Sequence, residues 1–230
     1  MNQSRHLTTL IGRLDYSFKD VNLLDEALTH RSVGSHNNER LEFLGDGILN
    51  FVIADALFQQ RPDLREGDLS RLRASLVNGE TLAEIARELD LGDCLNLGTG
   101  ELKSGGFRRS SILADTVESI LGAVYCDGGF DICQALILRL FNDKLKNLPD
   151  IDSLKDPKTR LQELLQSRRL PIPIYDVLSV SGKAHAQTFV VRCSVDGVDC
   201  ITQAEGGSRR KAEQLAAEAA YQQVKQKLNV

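Results

Sequence analysis

The sequence predicts an all-α domain over residues 1–148 and a small α+β domain, ordered α-β-β-β-α, over 156–227. Three observations predict this. Residues 1–148 repeat apolar side chains at helical spacing and show no convincing strand alternation. Between Ile174 and Gln203 the pattern changes to short strand-like runs, and Asp196-Gly197 supplies a strong hairpin turn. Between these regions the polar stretch 146–156, with Pro149 and then Pro157, reads as an interdomain linker centred on 149–155.

The elements follow in order. Asn22–Thr29 reads as a short helix with Leu23, Leu24, Ala27 and Leu28 inward, and Ser35-His36-Asn37-Asn38 as a polar turn able to cap the next helix. That helix runs from Glu39 to about Phe58 and stops before Arg61-Pro62. Leu41, Leu44, Ile48 and Val52 form its predicted apolar face. Gly67-Asp68 opens another helix, with Leu69, Leu72, Leu76 and Val77 inward and Asp68 as its N-cap. Asn78-Gly79 breaks the chain before an amphipathic helix through Leu82, Ile85, Ala86 and Leu89, ended near Gly92. Residues 97–109 read as a glycine-rich loop ending in Arg108-Arg109. Ser110–Tyr125 is an apolar helix, and after the turn Asp127-Gly128-Gly129, Asp131 is placed to cap a helix through Leu145. In the second domain Asp156 as N-cap and Pro157 at the first helical position begin a helix with Leu161, Leu164 and Leu165 buried, stopped by Pro171 and Pro173. Residues 174–181, 186–195 and 198–203 read as strands. Gly206-Gly207-Ser208 then opens a helix from Arg209 to about Lys227, with Ala212, Leu215, Ala216 and Ala219 inward.

Two helices carry the chemistry. Glu39, Glu42 and Asp46 fall at i, i+3 and i+7 of the first, so they share a face. Asp115 and Glu118 share a face of the second, between Ile112, Leu113, Val117, Ile120 and Leu121. Like charges one turn apart destabilise an isolated helix by about 0.2–0.5 kcal/mol per pair. Carboxylates on an apolar helix are costly unless paired or metal-bound. Four such carboxylates brought together make a hard oxygen site suited to Mg²⁺, with Mn²⁺ as a substitute.

The nine residues Asn38-Glu39-Arg40-Leu41-Glu42-Phe43-Leu44-Gly45-Asp46 resemble the signature of the bacterial ribonuclease III family, the double-strand-specific endoribonucleases. Ala27–Ser32, Gly67–Ser70 and Ala114–Glu118 resemble its other blocks in order. The second domain resembles a double-stranded RNA-binding domain, most closely in Ser208-Arg209-Arg210-Lys211-Ala212-Glu213. The resemblance implies that Glu42, Asp46, Asp115 and Glu118 bind Mg²⁺, with Asp46 and Glu118 foremost in catalysis. It makes Glu39 and Glu66 acidic positions near the site or the dimer interface. Phe43 resembles an interface aromatic of a homodimer; a core phenylalanine is the other reading. Gln162, Glu163, Lys183 and His185 fall at the family's RNA-contact positions, and Arg108 and Arg109 precede the acidic helix where substrate phosphate would lie. The implied reaction leaves 5′-phosphate and 3′-hydroxyl ends with a short 3′ overhang on ribosomal RNA precursors and structured messenger RNA.

The basic triplet Arg209, Arg210 and Lys211 has a physical reading of its own. Cations in the first turn of a helix oppose its dipole, and the free N–H groups there attract anions. Three cations at such a place fit phosphates, and A-form RNA is read by shape, 2′-hydroxyls and phosphates over about 16 base pairs.

Charge divides along the chain in the same sense. Residues 1–150 hold 16 Lys and Arg against 23 Asp and Glu, a net of −7, whereas 151–230 hold 12 against 9, a net of +3. No run of apolar residues is long enough to span a bilayer, and the first ten residues lack the pattern of a signal peptide. Five cysteines without a C-x-x-C pair point to reduced thiols and a cytoplasmic setting, not to zinc or a disulfide framework. Two rivals remain. A binder of duplex RNA without catalysis leaves the four acids unexplained. A di-metal redox helical protein would need Glu-x-x-His pairs, which are absent, and leaves the basic domain unexplained.

Overall fold

The computed structural model describes residues 2–183 and 186–228. They fall into two compact units, Met1–Pro149 and Asp150–Val230. The first is helical: α1 (Asn2–Leu14), α2 (Val21–Ala27), α3 (Glu39–Gln60), α4 (Glu66–Leu76), α5 (Gly79–Glu88), α6 (Thr99–Lys103), α7 (Ser110–Gly128), α8 (Phe130–Leu140) and α9 (Asn142–Lys146). Short 3₁₀ turns lie at Leu91–Cys94 and Gly106–Arg108.

The unit is built around α7. Its buried residues run almost without a break from Ile112 to Val124, the pattern of a helix enclosed on nearly every side. α3, α5, α2 and α8 pack on it. Its closest neighbour is α3, whose buried stripe is Leu41, Gly45, Leu49, Val52, Ile53, Ala56 and Leu57. Leu44 and Ile48, expected on that stripe, sit at its half-buried border. The stripe follows Gly45 because the two backbones meet there. A Cβ on Gly45 would overlap the Glu118 carbonyl, and one on Gly122 would overlap the Leu41 carbonyl.

Several sequence expectations change. Residues 2–14 form α1, which buries Leu10 and Leu14. Asn38 stands at the N-cap of α3 without a capping side-chain bond; Asn37 Oδ1 accepts from the Glu39 N–H instead, at 3.0 Å. α4 begins at Glu66, so Asp68 lies inside the first turn and binds Arg71 at 2.8 Å instead of capping. Leu69 is half-buried on the wall of a groove. Residues 97–109 contain α6. Gly129, at φ 85°, precedes α8, so Asp131 is not its cap, and the helix expected through Leu145 breaks at buried Phe141. The stretch 146–156 carries the short helix α10 (Ile151–Leu154).

The second unit continues with α11 (Pro157–Ser167), β1 (Ile174–Ser181), β2 (Thr188–Val195), β3 (Cys200–Gly206) and α12 (Arg209–Lys227). Asp156 caps α11 by accepting from the Lys158 N–H, and Pro157 follows at the first position. The strands form one antiparallel sheet in the order β1-β2-β3, with Asp176 opposite Arg192 and Arg192 opposite Gln203. β2 and β3 join through residues 196–199, where Gly197 takes φ 86° and Asp199 φ 47°. The first strand matches its expected range, whereas the second and third are offset: β2 starts at Thr188, and β3 runs from Cys200 to Gly206. One core joins sheet and helices through Leu161, Leu165, Cys193, Val195, Cys200, Ala216, Ala217, Ala220 and Val224. α12 meets the sheet through Ala216, Ala217 and Ala220, so Leu215 and Ala219, expected inward, are exposed.

Gly45 and Gly47 give a matched test of the close approach, since nothing lies within 4 Å of a Cβ at Gly47. Gly45→Ala should destabilise the protein by about 3 kcal/mol or more, the upper range of overpacking. Gly47→Ala should be neutral or stabilise by up to about 1 kcal/mol, as expected for an open helical glycine. Urea unfolding of the two variants checks this; equal stabilities would exclude the tight contact.

Candidate metal centre

The approach of α3 to α7 brings the acids together. Glu118 is the residue whose carbonyl lies against Gly45, Asp115 is one turn before it, and Glu42 is one turn before Asp46 on α3. One oxygen from each of Glu42, Asp115 and Glu118 lies within 4.8 Å of the others. Asp46 borders this trio without joining it. It is exposed, and its Oδ1 accepts from Asn50 Nδ2 at 2.7 Å.

The electrostatics are those of crowded, partly desolvated acids. Burial pushes the Glu118 carboxyl up to about 8, helped by the negative charges of Asp46, Glu42 and Asp115. Burial also raises Glu42, with Asp115, Glu39 and Asp46 adding to it and Arg31 opposing. Asp115 is raised by burial against the pull of His30 and Arg31. Among the described residues no Lys, Arg or His forms an ion pair with any of the three. Three unpaired carboxylates that resist ionising together are a donor set that a hard cation fits: it supplies the missing positive charge and takes oxygen ligands.

A pocket of about 380 Å³ beside the cluster is lined by Glu42 and Asp115 together with His30, Arg31, Ser32, Glu39 and Arg109. Arg31 pairs with Glu39 at 3.4 Å and Arg109 with Glu101 at 3.0 Å. Arg108 lies apart, stacked 5.0 Å over the Phe107 ring on a neighbouring groove. Glu66 is away from the trio; it accepts from the Ser70 hydroxyl at 2.8 Å and lines an apolar groove with Phe51 and Phe58. Phe43 is 83% exposed, which excludes the core reading. His30 and Arg31 were not singled out by sequence, because no local pattern places residues 30 and 31 beside residue 115.

In the second unit Ser208 caps α12 by accepting from the Lys211 N–H at 3.2 Å. Arg209 is held by buried Glu213 at 2.8 Å, and Glu213 also takes Lys158 at 2.6 Å. Arg210 and Lys211 are exposed, and among the described residues neither has an ion pair. Gln162 is exposed, whereas Glu163 is engaged by Lys155 at 2.8 Å. Lys183 is exposed just after Gly182, at φ 91°; His185 lies outside the described residues.

A helical domain with an acidic cluster able to hold a metal ion, followed by an α-β-β-β-α domain with a basic helix start, defines a nuclease joined to a duplex-binding module. Comparison with known proteins agrees. The pattern of the ribonuclease-III-like family matches residues 20–145, and that of the double-stranded RNA binding motif matches 157–224. Ribonuclease 3 of Alkalilimnicola ehrlichii is 61% identical over 95% of this chain and 96% of its own. Ribonuclease 3 of Vibrio cholerae is 55% identical over 95% and 97%. The solved nuclease domain of ribonuclease III from Campylobacter jejuni superposes with a TM-score of 0.59 at 45% identity, covering 60% of this chain and 98% of that one. The chain belongs to the ribonuclease III family. It is a double-strand-specific endoribonuclease. Among the described residues no helix is long and apolar enough to cross a membrane.

The raised Glu118 has a consequence for stability without metal. Unfolded, this carboxyl ionises near 4.5; folded, near 8. Between those values the folded chain holds the extra proton, so the group's contribution to stability falls as pH rises. In EDTA the melting temperature of the wild type should therefore drop from pH 5 to pH 8 more steeply than that of Glu118→Gln. Identical pH profiles would show that Glu118 ionises normally.

Proposed function

We propose that the chain is a Mg²⁺-dependent enzyme whose metal is held by Glu42, Asp115 and Glu118 with Asp46 at the border, Mn²⁺ being able to replace Mg²⁺. The carrying observation is the unpaired carboxylate trio on two closely packed helices. A bound divalent cation there would supply charge neutralisation, an activated water and stabilisation of the leaving oxygen. Asp46 and Glu118 are the catalytic pair of this reading. Asp46 is oriented by Asn50, and Glu118 carries the most perturbed carboxyl of the cluster. Arg109 borders the pocket and Arg108 the groove beside it, both in reach of backbone phosphates. The products are 5′-phosphate and 3′-hydroxyl ends with a short 3′ overhang, and the substrates are ribosomal RNA precursors and structured messenger RNA, as is usual in the family. Residues 1–148 form the catalytic domain, 149–155 the linker and 156–227 the RNA-binding domain.

The second domain supplies affinity in this proposal. Arg209, Arg210 and Lys211 neutralise phosphates at the start of α12, and Gln162, Glu163, Lys183 and His185 complete the groove contact. Glu163 would have to exchange its bond to Lys155 for one to RNA. Chemistry and affinity then separate in one crossed experiment. Glu118→Gln should slow cleavage of a plain duplex by more than about a hundredfold in Mg²⁺. Its duplex affinity in Ca²⁺ should stay within about twofold. Replacing Arg209, Arg210 and Lys211 by Ala should weaken binding of unrelated duplexes alike. It should also flatten the slope of log K against log salt by about 0.9 for each lost phosphate contact, two to three in all. Full cutting by Glu118→Gln, or loss of affinity for a single duplex at unchanged slope, contradicts the respective assignment.

The chain is further proposed to act as a homodimer in the cytoplasm, each subunit cutting one strand. Phe43, Phe51 and Phe58 are exposed on α3, an apolar array that water alone does not favour. Phe43→Glu should convert the sedimenting species to monomer. A variant that sediments as the wild type does would place the interface elsewhere.

A further inference from the structure

His30 lies in the pocket that holds Glu42 and Asp115, and its ring is fixed in one tautomer. Nδ1 lies 3.2 Å from the Ser32 backbone nitrogen and 2.9 Å from the Ser32 hydroxyl. A backbone N–H can only donate, so Nδ1 accepts and the neutral ring carries its proton on Nε2. The chain behind the ring is held too. The His30 N–H donates to the Asn96 carbonyl at 3.0 Å, and the Gly98 N–H donates to the Ser32 hydroxyl at 2.9 Å. Thr29 and Asn96 form an isolated parallel bridge, and a Cβ on Gly98 would overlap the Ser32 carbonyl. Two segments some seventy residues apart are thus pinned together beneath a half-exposed histidine.

The locked donor has no partner to bind among the described residues. Among the described residues Nε2 makes no hydrogen bond, whereas the two arginines on the same pocket wall are paired, Arg31 with Glu39 and Arg109 with Glu101. A pocket-lining ring held in one tautomer, with its N–H left without a partner among the described residues, is preorganised for an acceptor that arrives with the ligand. Under the proposed function the duplex would bring phosphodiester oxygens to the carboxylates that share this pocket. We propose that His30 donates from Nε2 to a nonbridging oxygen of the phosphodiester being cut, and that Ser32 is the positioning residue that fixes the tautomer. This rests on the reading of the carboxylate trio as the cutting site.

Removing one preorganised donor costs about 10²–10³ in rate. His30→Phe keeps the ring volume without the donor, while His30→Gln offers an amide N–H near the place of Nε2. With the full-length protein, His30→Phe should slow single-turnover cleavage of a plain duplex by about a hundredfold or more. Duplex affinity in Ca²⁺ and melting temperature should not change, and Gln should restore most of the rate. In the wild type, imidazole ¹⁵N spectra should report the Nε2–H tautomer, with the Nε2 resonance shifting when duplex is added in Ca²⁺. Wild-type cleavage by His30→Phe, equal loss in Phe and Gln, or a ring signal indifferent to duplex would each overturn the proposal. Glu118→Gln runs beside them. If it fails to cut while His30→Phe cuts normally, only the His30 assignment falls; if it cuts, the cluster reading falls and this proposal with it.

Discussion

The approach of α3 to α7 at Gly45 and Gly122 is the contact on which the catalytic unit depends. Side chains at those two positions would collide with the Glu118 and Leu41 carbonyls, so the helices would have to separate. Helices packed through ordinary side chains stand about 8–10 Å apart. The carboxylates of Glu42, Asp115 and Glu118 reach one another because bare backbone replaces side chains at the contact. Burial of both helices holds the arrangement, and the same burial raises all three carboxyls. Packing thus generates the electrostatic strain, and a hard cation would relieve it.

The surroundings of the trio divide by charge. Among the described residues cations do not pair with the three acids; they pair one step away, Arg31 with Glu39 and Arg109 with Glu101. That spacing keeps lone pairs on Glu42, Asp115 and Glu118 open while placing positive groups on the wall of the adjoining pocket. An arginine bonded directly to Glu118 would lower its carboxyl and occupy the oxygens that a metal needs. The ion pairs therefore contribute through placement more than through stability, since exposed pairs of this kind are worth about 0–1 kcal/mol.

The acids were legible because helical periodicity is a one-dimensional signal: i,i+3 spacing puts Asp115 and Glu118 on one face in any context. The same held for the second domain, where Asp156-Pro157 opens α11 and Asp196-Gly197 starts the turn between strands. What sequence missed belongs to contacts between distant segments. Gly45 was passed over because a glycine has no hydrophobicity to count, although it lies within the buried stripe. Leu215 was placed inward on its hydrophobicity, yet α12 turns its alanines to the sheet, since small side chains let helix and sheet approach. His30 gains meaning only through Asn96 and Gly98, which no local pattern joins to it. Asp68 looked like a cap because α4 was read as starting too late; the observed N-cap is Arg65, and the Asp68 carboxylate is bound to Arg71.

A net charge of −4 is an unpromising total for a protein that must hold a polyanion. The charges resolve it by position, not by sum. Screening limits the reach of an exposed charge to about 8–10 Å at physiological salt, so a phosphate responds to the few groups beside it and hardly to the remote acids. At the start of α12, Arg210 and Lys211 have no ion pair among the described residues, and Arg209 is held by Glu213, which shares itself with Lys158. Glu213 spends one negative charge on fixing two cations, lowering the entropy that the Arg209 side chain would lose on meeting RNA. Affinity can therefore arise in a domain whose net charge is only +3, while the acids that repel RNA stay concentrated where a bound cation would convert their repulsion into a binding site for phosphate.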